Sequence, residues 1–592
     1  MLPELLELTT WRAFDVHADG QVLAGHDESG TTQLVEIGTD GTVRKLTALD
    51  GACSGRYIPG TDTVLVSHDT GGNERAQISR LHLGSNPLPS TMDDLEAVVR
   101  DPSYIHGIGE VTGARMVYRT NRRNGVDFDI VVHELATGTE SVVYDGGGWA
   151  ADPAVHTDGR RVALTRPGKY AMSDQLLLAA GGEVTELTGE LERAQYHTVH
   201  WVGDSLVLTT NRDREFTGIA RYTPETGAWQ WLATDDTHDV TGWPSPDGRL
   251  LLVHTNVGGV SRLAVHDADG NPLREVPIPD GWLLFPLPEP VWAADSRSVA
   301  ITLSGPEIPG DVLVVDAESG ATRAVTDSAA ALRGLAELSV PDTHWVPGAG
   351  GEIPCYVYRP SATAEPLSGA AVLLIHGGPE GQSAINFNPI VQGLAAAGFT
   401  VLVPNVRGSV GYGKAWYSAD DVRARMNSVD DLAALHAWLP SLGLDRAALW
   451  GGSYGGYMVL AGLAFQPELW SAGVDIVGMS SLVTFLENTS VYRRAQRERE
   501  YGTLAEDREF LESISPLSRI ADIRAPLFVI HGANDPRVPL SEAEQLHAEL
   551  EHRGIACELC VYADEGHGLA KRVNRLDAYP RALEFLTAHL GR

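Results

Sequence analysis

The stretch Trp450-Gly451-Gly452-Ser453-Tyr454-Gly455-Gly456-Tyr457 places a serine between glycines two positions before and two positions after it. This Gly-x-Ser-x-Gly frame is that of a nucleophile elbow, a sharp strand-to-helix turn that leaves the hydroxyl exposed. The flanks agree with it. Residues 447–450 form a short apolar run that reads as a strand, and residues 457–465 an apolar, small-residue run that reads as a buried helix. A serine hydroxyl is a weak nucleophile at neutral pH, so chemistry at Ser453 requires a general base and a carboxylate to orient that base.

Around such an elbow the partners follow in the order Ser, Asp, His. An apolar run at 526–530 leads into His531-Gly532-Ala533-Asn534-Asp535-Pro536-Arg537-Val538, with Asp535 on the loop. The strand ending at Tyr562 leads into Ala563-Asp564-Glu565-Gly566-His567-Gly568. Both loops leave the carboxyl edge of the expected sheet, where such sheets bind ligands. Taken singly, His567 reads equally well as a turn residue and Asp535 as a loop hydrogen-bonder. All three residues at strand ends in the required order point to a Ser453, His567, Asp535 triad. Asp564 and His531 are the rivals; Asp564 is disfavoured because it lies only three residues from His567. The oxyanion of acyl transfer needs two donors. The N–H of Tyr454, just after the nucleophile, is one, and the loop His376-Gly377-Gly378-Pro379 supplies Gly378 as the other.

The elements that must position these groups fall into two regions. From Trp11 to about Asp327, short alternating strands are broken by turns such as Asp19-Gly20, Asp158-Gly159 and Asp247-Gly248, with Asp295-Ser296 in the same place. A second series of turns, including Asp40-Gly41, Thr226-Gly227 and Ser319-Gly320, marks later hairpins. The spacing divides into seven units beginning near Trp11, Cys53, Tyr104, Trp149, Gln195, Asp239 and Pro290, which predicts a seven-bladed β-propeller of four-stranded blades. Tandem sandwiches are the alternative architecture. The polar runs Asn121-Arg122-Arg123-Asn124 and Asn211-Arg212-Asp213-Arg214-Glu215 face either a central channel or, by local turn chemistry, solvent. Beyond a short helical linker at 329–335, strands and helices alternate, which predicts an α/β-hydrolase domain with a doubly wound, mostly parallel sheet. The expected domains are 1–335 and 336–592.

Composition narrows the function. The chain has 592 residues, is 43% hydrophobic, and carries a net charge of −33, which disfavours nucleic-acid and anionic-membrane partners. Four cysteines are too few for a disulfide framework in a chain of this length, and residues 1–10 lack the basic region of a signal peptide, so a cytoplasmic protein is expected. The pair Cys557 and Cys560 sits in an alternating segment that points the thiols to opposite faces, and no cofactor or metal motif is present.

In order along the chain, His376-Gly377-Gly378-Pro379, Arg407-Gly408-Ser409-Val410-Gly411-Tyr412-Gly413, Gly451-Gly452-Ser453-Tyr454-Gly455-Gly456, Asn534-Asp535-Pro536-Arg537-Val538-Pro539 and Glu565-Gly566-His567-Gly568 resemble the prolyl oligopeptidase family of serine peptidases, its acylaminoacyl-peptidase-like branch in particular. The resemblance implies a propeller that caps the hydrolase and excludes large folded proteins. It implies that Arg537 holds a substrate backbone carbonyl and that Met479 and Val538 line the pocket before the scissile bond, although Met479 also reads as ordinary core. The sequence departs from the dipeptidyl-peptidase relatives in having no adjacent pair of glutamates. The expected activity is hydrolysis of short peptides by oligopeptidase, acylaminoacyl-peptidase or aminopeptidase action. An esterase or amidase acting on small acyl compounds, and a propeller interaction protein with an inert hydrolase domain, are the alternatives. The expected partner is a short peptide or small acyl substrate, and self-association is left open.

Overall fold

The computed structural model describes residues 1–333, 335, 337–362, 364–365, 367 and 369–591. Seven four-stranded antiparallel sheets follow one another, each made of four consecutive strands. Their first strands begin at Trp11, Cys53, His106, Ala151, Tyr196, Asp239 and Val291, within two residues of the units read from the turn spacing. The turn chemistry explains that agreement. Gly20, Gly159 and Gly248 adopt positive φ, and Ser296, standing where the other repeats have glycine, takes the same conformation at φ 61°.

Burial is greatest in the two middle strands of each blade and falls away at the outer edge. The third strand of blade one, Gln33–Ile37, is wholly buried, whereas the fourth strands Val43–Lys45 and Glu183–Glu186 are wholly exposed. These outer strands are short and charged, which blunts them as edges. The ring closes by packing the first blade on the seventh: Ala13, Val22 and Val35 share a buried cluster with Ala293, Ala300 and Val312. The buried Ala13 N–H donates to Thr302 Oγ1 at 2.8 Å across this seam.

The second region is an eight-stranded sheet of β1 (Asp342–Gly348), β2 (Gly351–Tyr358), β3 (Ala370–Ile375), β4 (Thr400–Pro404), β5 (Arg446–Gly452), β6 (Trp470–Ile476), β7 (Leu527–Gly532) and β8 (Cys557–Tyr562). Its spatial order is β1-β2-β4-β3-β5-β6-β7-β8. The β1 and β2 pairings are antiparallel and the rest parallel. The central strands are buried on both faces and read as continuous apolar runs for that reason. In β7, Leu527 and Val529 enter one apolar layer and Phe528 and Ile530 the other. Cys557 and Cys560 divide between the two layers in the same way, and both thiols are free. No helix among the described residues is long and apolar enough to cross a membrane.

Two features differ from the expected division at 335/336. The linker forms a 3₁₀ turn, Ser328–Leu332, rather than a longer helix, and the boundary residue Ala336 lies outside the described residues. More telling, the N-terminal helix α1 (Leu2–Leu6) joins the hydrolase core, where Leu2 and Leu6 pack with Val391, Leu394 and Leu590. Leu2 and Leu6 thus belong to the hydrolase core.

Hydrogen bonds from several blades sew one propeller face to the hydrolase. Asn256 Nδ2 donates to Gln382 Oε1 at 2.8 Å, the Ile385 N–H to Gly259 O at 2.9 Å, and the Arg572 N–H to Gly30 O at 3.0 Å. The second polar run takes part: Asn211 Nδ2 donates to Tyr417 Oη at 3.0 Å, Lys414 Nζ to Asn211 O at 3.0 Å, and the Ala415 N–H to Glu215 Oε1 at 2.6 Å. The first run is bound mostly within its own blade, Arg123 to Asp129 and Arg122 to Glu140.

If α1 is part of the hydrolase core, Leu6→Ala should destabilise that domain by roughly 2–3 kcal/mol, since Leu6 is only 2% exposed. A urea midpoint equal to that of the unmodified chain would show that the helix is not docked.

Candidate active site

Strand β5 ends at Gly452, and Ser453 turns the chain into the helix Tyr454–Phe465 with φ 59° and ψ −117°. That conformation is strained for a residue with a Cβ, and the surroundings hold it. The Ser453 N–H donates to Ile476 O at 2.8 Å, and its carbonyl accepts from the Tyr457 N–H at 3.0 Å. The glycines are required by close approach: a Cβ on Gly455 would lie 2.2 Å from Ile375 O, and one on Gly451 2.2 Å from Gly455 O. The helix is buried continuously from Tyr454 to Ala464, so it cannot shift to relieve the serine.

His567 Nε2 lies 2.9 Å from Ser453 Oγ, and Nδ1 lies 2.7 Å from Asp535 Oδ2. A carboxylate on Nδ1 fixes the tautomer with its proton there, leaving Nε2 to accept from the serine hydroxyl. Asp535 is held in turn, its Oδ1 accepting from the N–H groups of Arg537 at 2.8 Å and Val538 at 3.0 Å. The rivals are engaged elsewhere. Asp564 pairs with Lys571 at 2.6 Å and accepts from Asn574. His531 is wholly buried with Nε2 2.9 Å from Val538 O, and burial pushes its ring pKa down. A neutral ring then donates Nε2–H to that carbonyl.

The loop carrying His567 hangs on Glu565, a buried carboxylate that the motif reading had left without a role. It accepts from the N–H groups of Ala570 at 3.0 Å and Lys571 at 2.9 Å and from Asn574 Nδ2 at 2.8 Å. The glycine-rich loop after β3 passes the nucleophile closely, since a Cβ on Gly377 would lie 3.5 Å from Ser453 Cβ. His376 pins that loop, with Nε2 2.8 Å from Ser409 Oγ. Among the described residues, neither the Tyr454 N–H nor the Gly378 N–H donates to a protein acceptor. Both are therefore free for an oxyanion.

The residues expected to bind substrate are placed less simply. Arg537 Nε donates to both carboxylate oxygens of Glu74, at 2.7 and 2.9 Å, and Glu74 comes from a loop of the second blade. That loop crosses the His567 loop backbone to backbone: a Cβ on Gly72 would lie 2.6 Å from Gly566 N. Met479 and Val538 are each 2% exposed and belong to the apolar cluster beneath the site. A helix spanning Val491–Tyr501 adds cations. Burial, then the nearby Arg537 and Arg497, push the Arg493 guanidinium down to about 10. A cavity of about 580 Å³ opens between the domains beside Asp535, lined by Asn73, Arg75, Asn121, Tyr492 and Asn534.

Residues 385–592 match the family described as the prolyl oligopeptidase family. Dipeptidyl aminopeptidase BIII of Pseudoxanthomonas mexicana is 37% identical over 211 residues, 34% of this chain and 31% of that protein. The acylamino-acid-releasing enzyme of Arabidopsis thaliana is 26% identical over 212 residues, 33% of this chain and 27% of that protein. The matched region thus spans about a third of the length of these curated relatives. A puromycin-hydrolyzing peptidase of Mycobacterium tuberculosis superposes over 100% of this chain and 96% of its own, with a TM-score of 0.86 at 20% identity, which shows that the two folds are alike.

Replacing Asp535 with Asn removes the tautomer control and should lower kcat by roughly 10³–10⁴-fold. Asp564→Asn should leave kcat unchanged; the opposite result from this pair of variants would transfer the orienting role to Asp564.

Proposed function

Starting from a chain whose residues 385–592 form a prolyl oligopeptidase family domain, we propose that the protein is a serine peptidase that hydrolyses short peptides by acyl transfer. The observation that carries this reading is the unbroken chain of 2.9 and 2.7 Å contacts from Ser453 through His567 to Asp535. Ser453 Oγ attacks the scissile carbonyl carbon while His567 Nε2 takes the hydroxyl proton. The carbonyl oxygen becomes an oxyanion held by the Tyr454 and Gly378 N–H groups. The C–N bond then breaks as His567 returns the proton to the leaving amine, and water, activated by the same imidazole, releases the acyl group. The propeller restricts entry to small substrates. A cytoplasmic location belongs to the same proposal and is in keeping with the free thiols.

Glu74 favours an aminopeptidase reading within this class. It is a propeller carboxylate beside the triad, paired with Arg537, and the two charges together suit a free ammonium group next to a backbone carbonyl. The similarity to a dipeptidyl aminopeptidase supports the same choice.

Ser453→Ala is expected to lose peptide hydrolysis by about 10⁴-fold or more while remaining folded; an active variant would refute the reaction. A peptide with a free amino terminus should be cleaved at least about tenfold faster than its acetylated form, from one charge-assisted contact of about 1.5–3 kcal/mol, and Glu74→Gln should abolish the difference. Faster cleavage of the acetylated peptide would select acylaminoacyl-peptidase action, and turnover of aryl esters alone would select an esterase.

A further inference from the structure

Beneath the site lies a buried charge cluster that the reaction described above does not use. Arg425, 0% exposed, pairs through Nη1 with Asp420 and through Nη2 with Glu500, both themselves buried. It also donates to Glu500 O at 3.0 Å and lies over the rings of Tyr454 and Tyr501, at 5.2 and 4.8 Å from their centroids. Asp420, Asp421 and Glu500 converge closely enough to suggest a metal site, but the Arg425 guanidinium already stands between Asp420 and Glu500 and supplies the positive charge.

Two side chains connect this cluster to the oxyanion site. The Tyr454 hydroxyl donates to Asp420 Oδ2 at 2.9 Å and lies 2.7 Å from Ser428 Oγ; its own backbone N–H is the first oxyanion donor. Glu380 follows Gly378 by two residues and faces Arg497 at 3.9 Å, and Arg497 and Glu500 lie three residues apart on the helix Val491–Tyr501. Four carboxyl groups, Asp420, Asp421, Glu500 and Glu380, therefore stand around two guanidiniums, Arg425 and Arg497. Burial, then the charge of Glu380, push the Glu500 carboxyl far up, while Arg497 and Glu500 hold Glu380 down against its own burial. Glu500 Oε2 is buried without a hydrogen-bond partner among the described residues, and burial favours its protonated form.

We propose that the Arg425 cluster is the positioning device of the oxyanion hole, tying the segment that carries the Tyr454 N–H to the segment that carries the Gly378 N–H. The two donors come from loops 76 residues apart in sequence, and a spacing error of a few tenths of an ångström between them would weaken the hold on the tetrahedral oxygen. Arg425, Glu500 and Tyr454 are buried, and with Glu380, whose side chain is 16% exposed, they act through the two backbone donors. The inference rests on acyl transfer at Ser453.

Tyr454→Phe keeps the backbone donor and the ring and removes only the hydroxyl. It should lower kcat about tenfold, less than the roughly 10²–10³-fold loss of a whole oxyanion donor, with KM unchanged and with full end-point titration of Ser453 by a fluorophosphonate. Glu380→Ala should act the same way. In both variants the affinity for a peptide aldehyde, which forms the tetrahedral adduct, should fall in parallel with kcat/KM. Glu500→Gln, which copies the protonated carboxyl with an N–H in place of the O–H, should retain activity where Glu500→Ala loses it. Unaltered kcat and aldehyde affinity in Tyr454→Phe and Glu380→Ala, with only a lowered Tm, would overturn the proposal and leave the cluster a structural one. Equal loss in Glu500→Gln and Glu500→Ala would overturn a protonated Glu500. Absence of fluorophosphonate labelling in the unmodified protein would instead overturn the acyl-transfer reading on which the inference rests.

Discussion

A serine held at φ 59° is the constraint on which the catalytic half depends. Side-chain-bearing residues rarely occupy that region, and each such position costs of order 1–3 kcal/mol. It persists only where the surroundings leave no alternative. Here they consist of the register of β5 with β6, which delivers Ile476 O to the Ser453 N–H, and of a helix buried from its first residue. The same close approach that forces the turn excludes side chains at Gly451 and Gly455. What looks in sequence like a pattern of small residues is the imprint of backbone packed on backbone.

The parts of the molecule that were legible in advance are those governed by local rules. The meeting of Ser453, His567 and Asp535 was legible because each lies just beyond a strand end, and strand ends are marked by apolar runs giving way to Gly, Asn and Asp. The blades could be read because the same hairpin turn recurs, even where Ser296 replaces glycine at positive φ. Contacts between segments far apart in sequence carry no such mark. Nothing in the spacing of Glu74 links it to Arg537, 463 residues away. The run Asn211 to Glu215 read as a turn or a channel face, but its partners are Lys414, Ala415 and Tyr417 on the other domain. Helix α1 is too short to announce by periodicity which core it joins. Met479 and Val538, expected beside substrate by family resemblance, are buried; apolarity alone does not distinguish a pocket wall from the packing behind it.

The interface between the domains is held by breadth rather than by any single strong contact. In the Glu74–Arg537 pair one N–H is shared between both carboxylate oxygens; its side chains are 27% and 41% exposed, and ion pairs open to water contribute little net stability, about 0–1 kcal/mol. Its importance is to where charge stands, since a propeller carboxylate neutralises one of several arginines facing the chamber. Hydrogen bonds from the first, second, fourth, fifth, sixth and seventh blades carry the remainder of the interface. Such bonds are individually modest but directional. They fix the register of the propeller face against the catalytic loops, so that the approach of Gly72 to Gly566 is reproducible and the His567 loop is braced from above.

From below, the bracing is electrostatic, and its energetic logic differs. A buried ion pair seldom stabilises a fold relative to apolar residues of the same shape, because desolvation offsets the attraction, whereas removing one partner costs about 3–5 kcal/mol. A fully buried arginine between Asp420 and Glu500 is therefore a poor choice for stability alone. It is a good choice for geometry, because a planar guanidinium admits few arrangements of its partners. Apolar packing tolerates sliding by fractions of an ångström; fixed donors and acceptors do not. The cluster stands where tolerance is least useful, under two backbone N–H groups that must meet one oxygen.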